Sequence, residues 1–338
     1  GVRRSLMNKE VNEGNLSLPL RLKTFGHGNT ATPVFILLII VLVGAVLSIV
    51  SPNFLTAYNI GIIVKQMSFF GMAALGQTLM LITIGTDLSV GSIACLSGIL
   101  FTILTIVLGL NPWLVILMVL VICALIGYSS GYIVTKLKLS PFIVTLAVSE
   151  ICTGAVLVLT KGETVTGLSG PVLNLGKGMI GPIPVPTILF VCAALLLAYI
   201  MKQTPFGRNI YAIGGNPAAA RLVGINVKNY TRIIFAISAM LAACGGIMTA
   251  CRYSSGQPSI GESWRMNSIT AAVVGGTSMA GGAGNVLGSV VGALLITLLS
   301  NAIVVLNISQ YWEKVVTGSV VLIAVVFDAV RAIKRNRA

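Results

Sequence analysis

Charge is what this chain has least of. Only 9% of its 338 residues are charged, against about a quarter in a soluble domain. With 56% hydrophobic residues, a water-soluble fold would expose apolar patches large enough to aggregate. The composition therefore assigns an integral membrane protein. Acidic residues are the scarcer sign, 8 against 22 basic, for a net charge of +14. No aromatic-plus-basic patch accompanies that excess, so nucleic-acid binding is not expected. Histidine occurs once, as His27 in a glycine-flanked segment, which leaves no His-based triad or metal site for the apolar region. A phosphate-binding G-x-x-x-x-G-K-[ST] loop is also missing: "LGKGM" (175–179) lacks the spacing and follows no strand. An enzyme reading fails on these absences, and ATP, if used, must be hydrolysed by another chain. The six cysteines have no metal-like spacing and sit in or beside apolar segments as small hydrophobes. Residues 1–30 lack an apolar core followed by a cleavage site, so no removable signal peptide is expected.

What is present is a series of apolar runs of membrane-spanning length, about 20 residues each. They predict an all-α polytopic protein of about ten helices, near 33–50, 60–84, 87–110, 112–135, 141–160, 184–201, 233–251, 268–283, 286–306 and 315–330. The pair at 268–283 and 286–306 is the weakest, because "GGTSMAGGAGN" between them is suited to a re-entrant turn. Ten spans put both ends on one side. Sixteen basic residues fall on that side: Arg3, Arg4, Lys9, Arg21, Lys23, Lys136, Lys138, Lys202, Arg208, Arg221, Lys228, Arg232, Arg331, Lys334, Arg335 and Arg337. Five fall opposite: Lys161, Lys177, Arg252, Arg265 and Lys314. The first side is then cytoplasmic. This gives a cytoplasmic tail over 1–32, a permease-like membrane domain over 33–330 containing a cytoplasmic loop at 202–232, and a cytoplasmic tail over 331–338. The turns in "SGYIVTKLKLSPFIV" (130–144) and "SNAIVVLNISQYWEKVV" (300–316) fall on opposite sides, the arrangement that two inverted repeats would produce.

Four ionisable residues lie at membrane depth: Lys65, Asp87, Glu150 and Asp328. Each must face protein, a water-filled cavity or the interface. Asp328 is placed at the interface, and Lys65 within reach of it by snorkelling. Glu150 either pairs with a neighbour or lines a cavity. Asp87 lies in "TIGTDLSVGS" (83–92), where glycines permit a break and Asp is a strong cap for a helix beginning at Leu88. Capping is the preferred reading, and direct contact with a polar substrate the alternative. "VVGGTSMAGGAGNVLGSVVG" (273–292) holds seven glycines, suited to close helix packing in lipid or to a pathway lined by backbone and hydroxyl groups.

The island "GRNIYAIGGNPAAARLVGINVKNYTR" (207–232) is polar within an apolar chain. Asn216 is a good N-cap, Pro217 fits the first helical position, Ala218, Ala219, Ala220 and Arg221 favour helix, and Gly224 suits the residue past the end. So short a helix is unstable alone in water and needs something to pack against. Its basic flanks also suit anionic lipid heads.

"GQTLMLITIGTDLSVGSI", "TPFGRNIYAIGGNPAAARLVGINV" and "AAVVGGTSMAGGAGNVLGSVVGALL" occur in that order. Together they resemble the permease subunits of bacterial ABC importers for monosaccharides, the ribose type in particular, from about residue 33 to the end. The resemblance implies a multi-pass protein of the bacterial inner membrane that translocates ribose or a similar sugar by alternating access. It implies an ABC ATPase pair using ATP and magnesium, an extracytoplasmic sugar-binding protein and a second permease subunit, with no cofactor or metal on this chain. The helix capped by Asn216 then resembles the element that engages the ATPase, carried by Asn216 to Arg221 and Gly224. A sugar path should be polar but uncharged, which points to Gln77, Thr86, Ser89 and Asn267. The family carries acidic residues ahead of the third block, typically Glu and Asp two residues apart, where this chain has Arg265 and Asn267. That departure, near the external mouth, bears on the sugar, on the binding-protein contact or on both, and a heteromeric pairing with a second permease would also fit it. The rival reading is an ion-coupled secondary transporter or channel for a small polar solute.

Overall fold

The computed structural model describes residues 31–83, 85–309 and 311–337. The N-terminal tail, with His27 and five basic residues, lies outside them, as do the side chains of Asp328 and the basic C-terminal residues. The described chain is built of helices: α1 (Ala31–Val50), α2 (Ala57–Ile82), α3 (Val90–Ile106), α4 (Pro112–Leu137), α5 (Pro141–Thr160), α6 (Asn174–Lys177), α7 (Val185–Gln203), α8 (Pro205–Gly215), α9 (Pro217–Leu222), α10 (Val227–Tyr253), α11 (Trp264–Val274), α12 (Val286–Val305) and α13 (Trp312–Arg337). Two small antiparallel pairs join β1 (Val165–Thr166) to β4 (Ser255–Gly256) and β2 (Met179–Ile180) to β3 (Ile183–Pro184). Local chemistry sets several helix ends. Asn111 and Asn285 accept from the N–H of Trp113 and Leu287, each at 3.0 Å, and so cap α4 and α12. Lys138 and Lys161 end α4 and α5 in the left-handed conformation.

Among the described residues, six helices, α2, α4, α5, α7, α10 and α12, are long and apolar enough to cross a bilayer, and α3 is a shorter apolar helix. The structure differs from the expected spans in two places. Where a span was expected at 268–283, α11 has 11 residues and rises only about 16 Å, half of the roughly 30 Å hydrocarbon core. The chain then turns through Gly276, Gly281 and Gly282, all at positive φ, before α12. The span expected at 87–110 is the shorter α3, preceded by an irregular stretch containing Asp87.

The helices α2 and α10 are buried along most of their length, whereas α4, α5 and α7 turn large apolar side chains such as Leu125, Val158 and Leu196 outward. Outward apolar faces suit lipid, which supplies no partner for backbone polar groups. Phe101, Phe190 and Phe235 fill the interior. The packing has a repeating pattern. α10 lies on α4 as α2 lies on α12; α3 lies on α10 as α11 lies on α2; α3 touches α4 and α5 as α11 touches α12 and α13.

The segment between α10 and α11 runs back along α3. Gly256 abuts Ile99 and Thr102, the Cys95 thiol lies 3.2 Å from Pro258 O, and Gly261 meets Gly91 at the start of α3. Irregular backbone beside a buried apolar helix is tolerated only where protein or a water-lined cavity satisfies it.

Candidate functional site

The first polar cluster is the helix break around Asp87, which is buried. Its Oδ1 accepts from Ser89 N at 2.9 Å and Ser89 Oγ at 2.5 Å, and its Oδ2 accepts from Ser238 Oγ of α10 at 2.9 Å. With its amide oriented to serve both groups, Gln77 donates Nε2–H to Asp87 O at 3.0 Å and accepts from Asp87 N at 3.3 Å. The carboxylate thus satisfies an N–H just ahead of α3, whose first residue is Val90 rather than Leu88. Thr145 of α5 adds a further tie, accepting from Leu88 N at 3.1 Å. Of the path residues suggested by the sequence, Gln77 and Ser89 are buried in this cluster. Thr86 reaches it only as a carbonyl, 3.4 Å from Thr145 Oγ1. Asn267 is buried on α11 and shares no hydrogen bond with the cluster among the described residues.

A second unit is α8 with α9. Asn216 Oδ1 accepts from Ala218 N and Ala219 N, each at 3.0 Å, and Gly224 follows the helix at φ 86°. Ala220 is buried against the rest of the chain, while Ala219 and Arg221 are exposed, as are Leu222 (88%) and Val223 (77%). Phe206 stacks on Tyr230, and Asn209 Nδ2 donates to Tyr230 Oη at 2.6 Å, fixing α8 to α10. At the other end of α8, Tyr211 Oη donates to Gly284 O at 2.9 Å. Burial pushes the Tyr211 hydroxyl above its ordinary pKa, so it stays a donor at neutral pH. Gly214 sits flush against Ile82 O and Gly282, and Gly282 N donates to that same Ile82 O at 2.8 Å. The α8–α9 unit is therefore tied to the end of α2 and to the glycine-rich turn between α11 and α12.

The third feature is a cavity of about 270 Å³ between α3, α5 and the returning segment. Gly91 and Ser92 of α3, Glu150 and Thr153 of α5, residues 258–262 and Arg265 line it. Arg265 Nη2 donates to Ser149 Oγ at 2.7 Å. Glu150, at the middle of α5, is exposed and makes no hydrogen bond or ion pair among the described residues. The sequence marked Glu150 as costly at membrane depth. It carried no signal for the returning segment, which reads as an ordinary polar loop.

Apolar helices around polar helix breaks, a returning segment and a charged cavity define a multi-pass membrane transport protein. The chain belongs to the permease family described as branched-chain amino acid transport system, permease component, whose family model matches residues 59–325. It is 40% identical over 298 residues to a ribose import permease of Haemophilus influenzae, covering 87% of this chain and 91% of that protein. It is 36% identical to a D-allose transport system permease of Escherichia coli, over 87% of this chain and 90% of that protein. A xylose transport system permease of Haemophilus influenzae is 30% identical, over 81% and 90%. No solved structure matches.

Proposed function

We propose that this chain is the transmembrane subunit of a binding-protein-dependent ABC importer that carries ribose or a similar monosaccharide. The observation that carries the reading is its 40% identity, along 87% of the chain, to a ribose import permease. Its partners are an ABC ATPase pair that uses ATP and magnesium, an extracytoplasmic sugar-binding protein and a second permease subunit in the inner membrane. The reconstituted complex should take up labelled ribose saturably, with allose or xylose competing. Competition by leucine with none by these sugars would overturn the sugar reading.

The proposed topology has ten crossings and cytoplasmic termini, the eighth crossing made by the returning segment and the short α11 together, with 1–32 and 331–338 as tails around a 33–330 membrane domain. The distribution of basic residues supports it, sixteen on the cytoplasmic side against four opposite once Arg265, held by Ser149 near the middle of α5, is left out. The matching packing of α2–α5 and α10–α13 supports two inverted repeats, which would rock about the buried pair α2 and α10. In this topology Gln77, Thr86, Ser89 and Asn267 stand on elements that bound the path, and Asp87 holds the break between α2 and α3. Asp87→Asn should keep folding and uptake near normal, because an amide can still accept from Ser89 N and donate to Ser238 Oγ. Asp87→Leu strands both groups and should destabilise the protein by about 3 kcal/mol or more. Membrane level and uptake check the pair. Lost uptake in Asp87→Asn at a normal membrane level would instead make the carboxylate a solute contact.

In the proposed coupling, α9 seats on the ATPase through its exposed face, with Asn216 and Pro217 setting its start and Gly224 its end. Movement of α9 passes through α8 to the α2 end and the glycine-rich turn. Tyr211→Phe removes one strut, a hydrogen bond of about 1 kcal/mol. Uptake per ATP hydrolysed should fall in that variant while melting temperature changes little. An unchanged uptake-to-hydrolysis ratio would exclude the strut.

A further inference from the structure

Glu150 and Arg265 both line the cavity beside α5, and neither is neutralised there. Among the described residues, no ion pair within 4.0 Å joins them, Glu150 has no hydrogen-bond partner, and Arg265 uses one donor on Ser149. A carboxylate exposed at the middle of a spanning helix cannot rest against hydrocarbon; it faces water, solute or protein. The returning segment forms the opposite wall, where part of its backbone is satisfied within the protein: Ile260 N donates to Gln257 O, Trp264 N to Gly261 O, and the Cys95 thiol to Pro258 O. The unpaired carboxylate is thus what calls for a polar occupant, in a space whose far wall is irregular backbone rather than apolar helix.

The charges indicate which occupant. Glu262 also lines the cavity but is ion-paired with Lys314 at 3.4 Å; the carboxylate of Glu150 and the guanidinium of Arg265 are left to balance one another, so the space favours neither anions nor cations. Together they offer acceptors and a fork of donors, which matches an uncharged solute carrying several hydroxyls. We infer that Glu150 and Arg265 form a polyol-binding subsite on the solute path, with Glu150 accepting from sugar hydroxyls and Arg265 donating to them. Ser149 is the positioning residue, because its hydroxyl holds the guanidinium. The inference rests on the monosaccharide-permease reading and names the charged contacts that reading lacked.

The test uses the complete complex, this chain with its ATPase and binding protein, in proteoliposomes, with ribose, allose and xylose as probes. Glu150→Gln and Arg265→Gln should each lower maximal uptake about tenfold or more, the size expected for losing a charge-assisted hydrogen bond. Stimulation of ATP hydrolysis by the binding protein should persist, which a merely structural defect would not allow. In a chain that keeps both charges, Thr153→Cys should react with a membrane-impermeant thiol reagent, and the transported sugar should slow that reaction. Full uptake in both charge variants would overturn the subsite while leaving the permease reading intact. An unreactive Thr153→Cys would also overturn it, showing that lipid or a second copy covers the face. If the unaltered complex carried none of the three sugars, the underlying reading would fall and the subsite with it.

Discussion

Glutamate in place of Leu222 or Ala219 should abolish sugar uptake while the protein stays folded and in the membrane. The two positions are three apart and so share a face of α9. Both are exposed, and Ala220 is the residue that packs inward. Neither substitution disturbs the Asn216 cap, which uses side-chain oxygen and backbone N–H groups. Damage is therefore confined to what the face meets. An apolar residue 88% exposed at the tip of a short helix is the kind of anchor that fills a pocket on a partner. Removing such an anchor costs about 2 kcal/mol or more, and a buried unpaired carboxylate adds to that. Association with the ATPase should weaken about thirtyfold or more. Co-purification of the ATPase with each variant, alongside uptake, measures the effect. Normal retention and uptake would mean that this face contacts nothing of consequence.

The second large effect is on folding. Gly246→Leu should remove most of the protein from the membrane fraction. A Cβ on Gly246 would collide with Ala94 O and Ser97 Oγ, so α3 and α10 meet there with no room between their backbones. Ser97 Oγ fastens the same contact, donating to Ala94 O at 2.8 Å and Ala243 O at 3.1 Å. Van der Waals contact and interhelical hydrogen bonds are what hold helices together in lipid, and a leucine removes both by pushing the backbones apart. The cost should reach about 3 kcal/mol or more, at the upper end for overpacking, because the obstructing atoms are mainly backbone. Gly61, with open space around it, is the control: Gly61→Ala should leave membrane level unchanged.

Long elements and caps were legible from the sequence because their causes are local. The apolar runs at 112–135 and 141–160 became α4 and α5, and "NPAAARL" carries its own start signal in Asn216 and Pro217. The short α11 was not legible. "MNSITAAVV" is small and apolar, as a full span would be, and hydropathy cannot separate a spanning helix from a half-length one buried by neighbours. Nor did the path of 254–263 show. Its Gly, Pro and Ser content reads as loop, and only contacts made by Gly91 and Cys95, distant in sequence, place it along α3. The sequence left Glu150 between a paired residue and a cavity-lining one. Its setting on the cavity wall depends on that same returning segment.

In the proposed mechanism this chain is the path, and its energy comes from another chain through residues 216–224. Ribose uptake into vesicles holding the full complex, with and without ATP hydrolysis and with ion gradients imposed or collapsed, tests that division most directly. Uptake should require ATP hydrolysis and be indifferent to the gradients. Uptake driven by an ion gradient alone, in the absence of ATP, would contradict it.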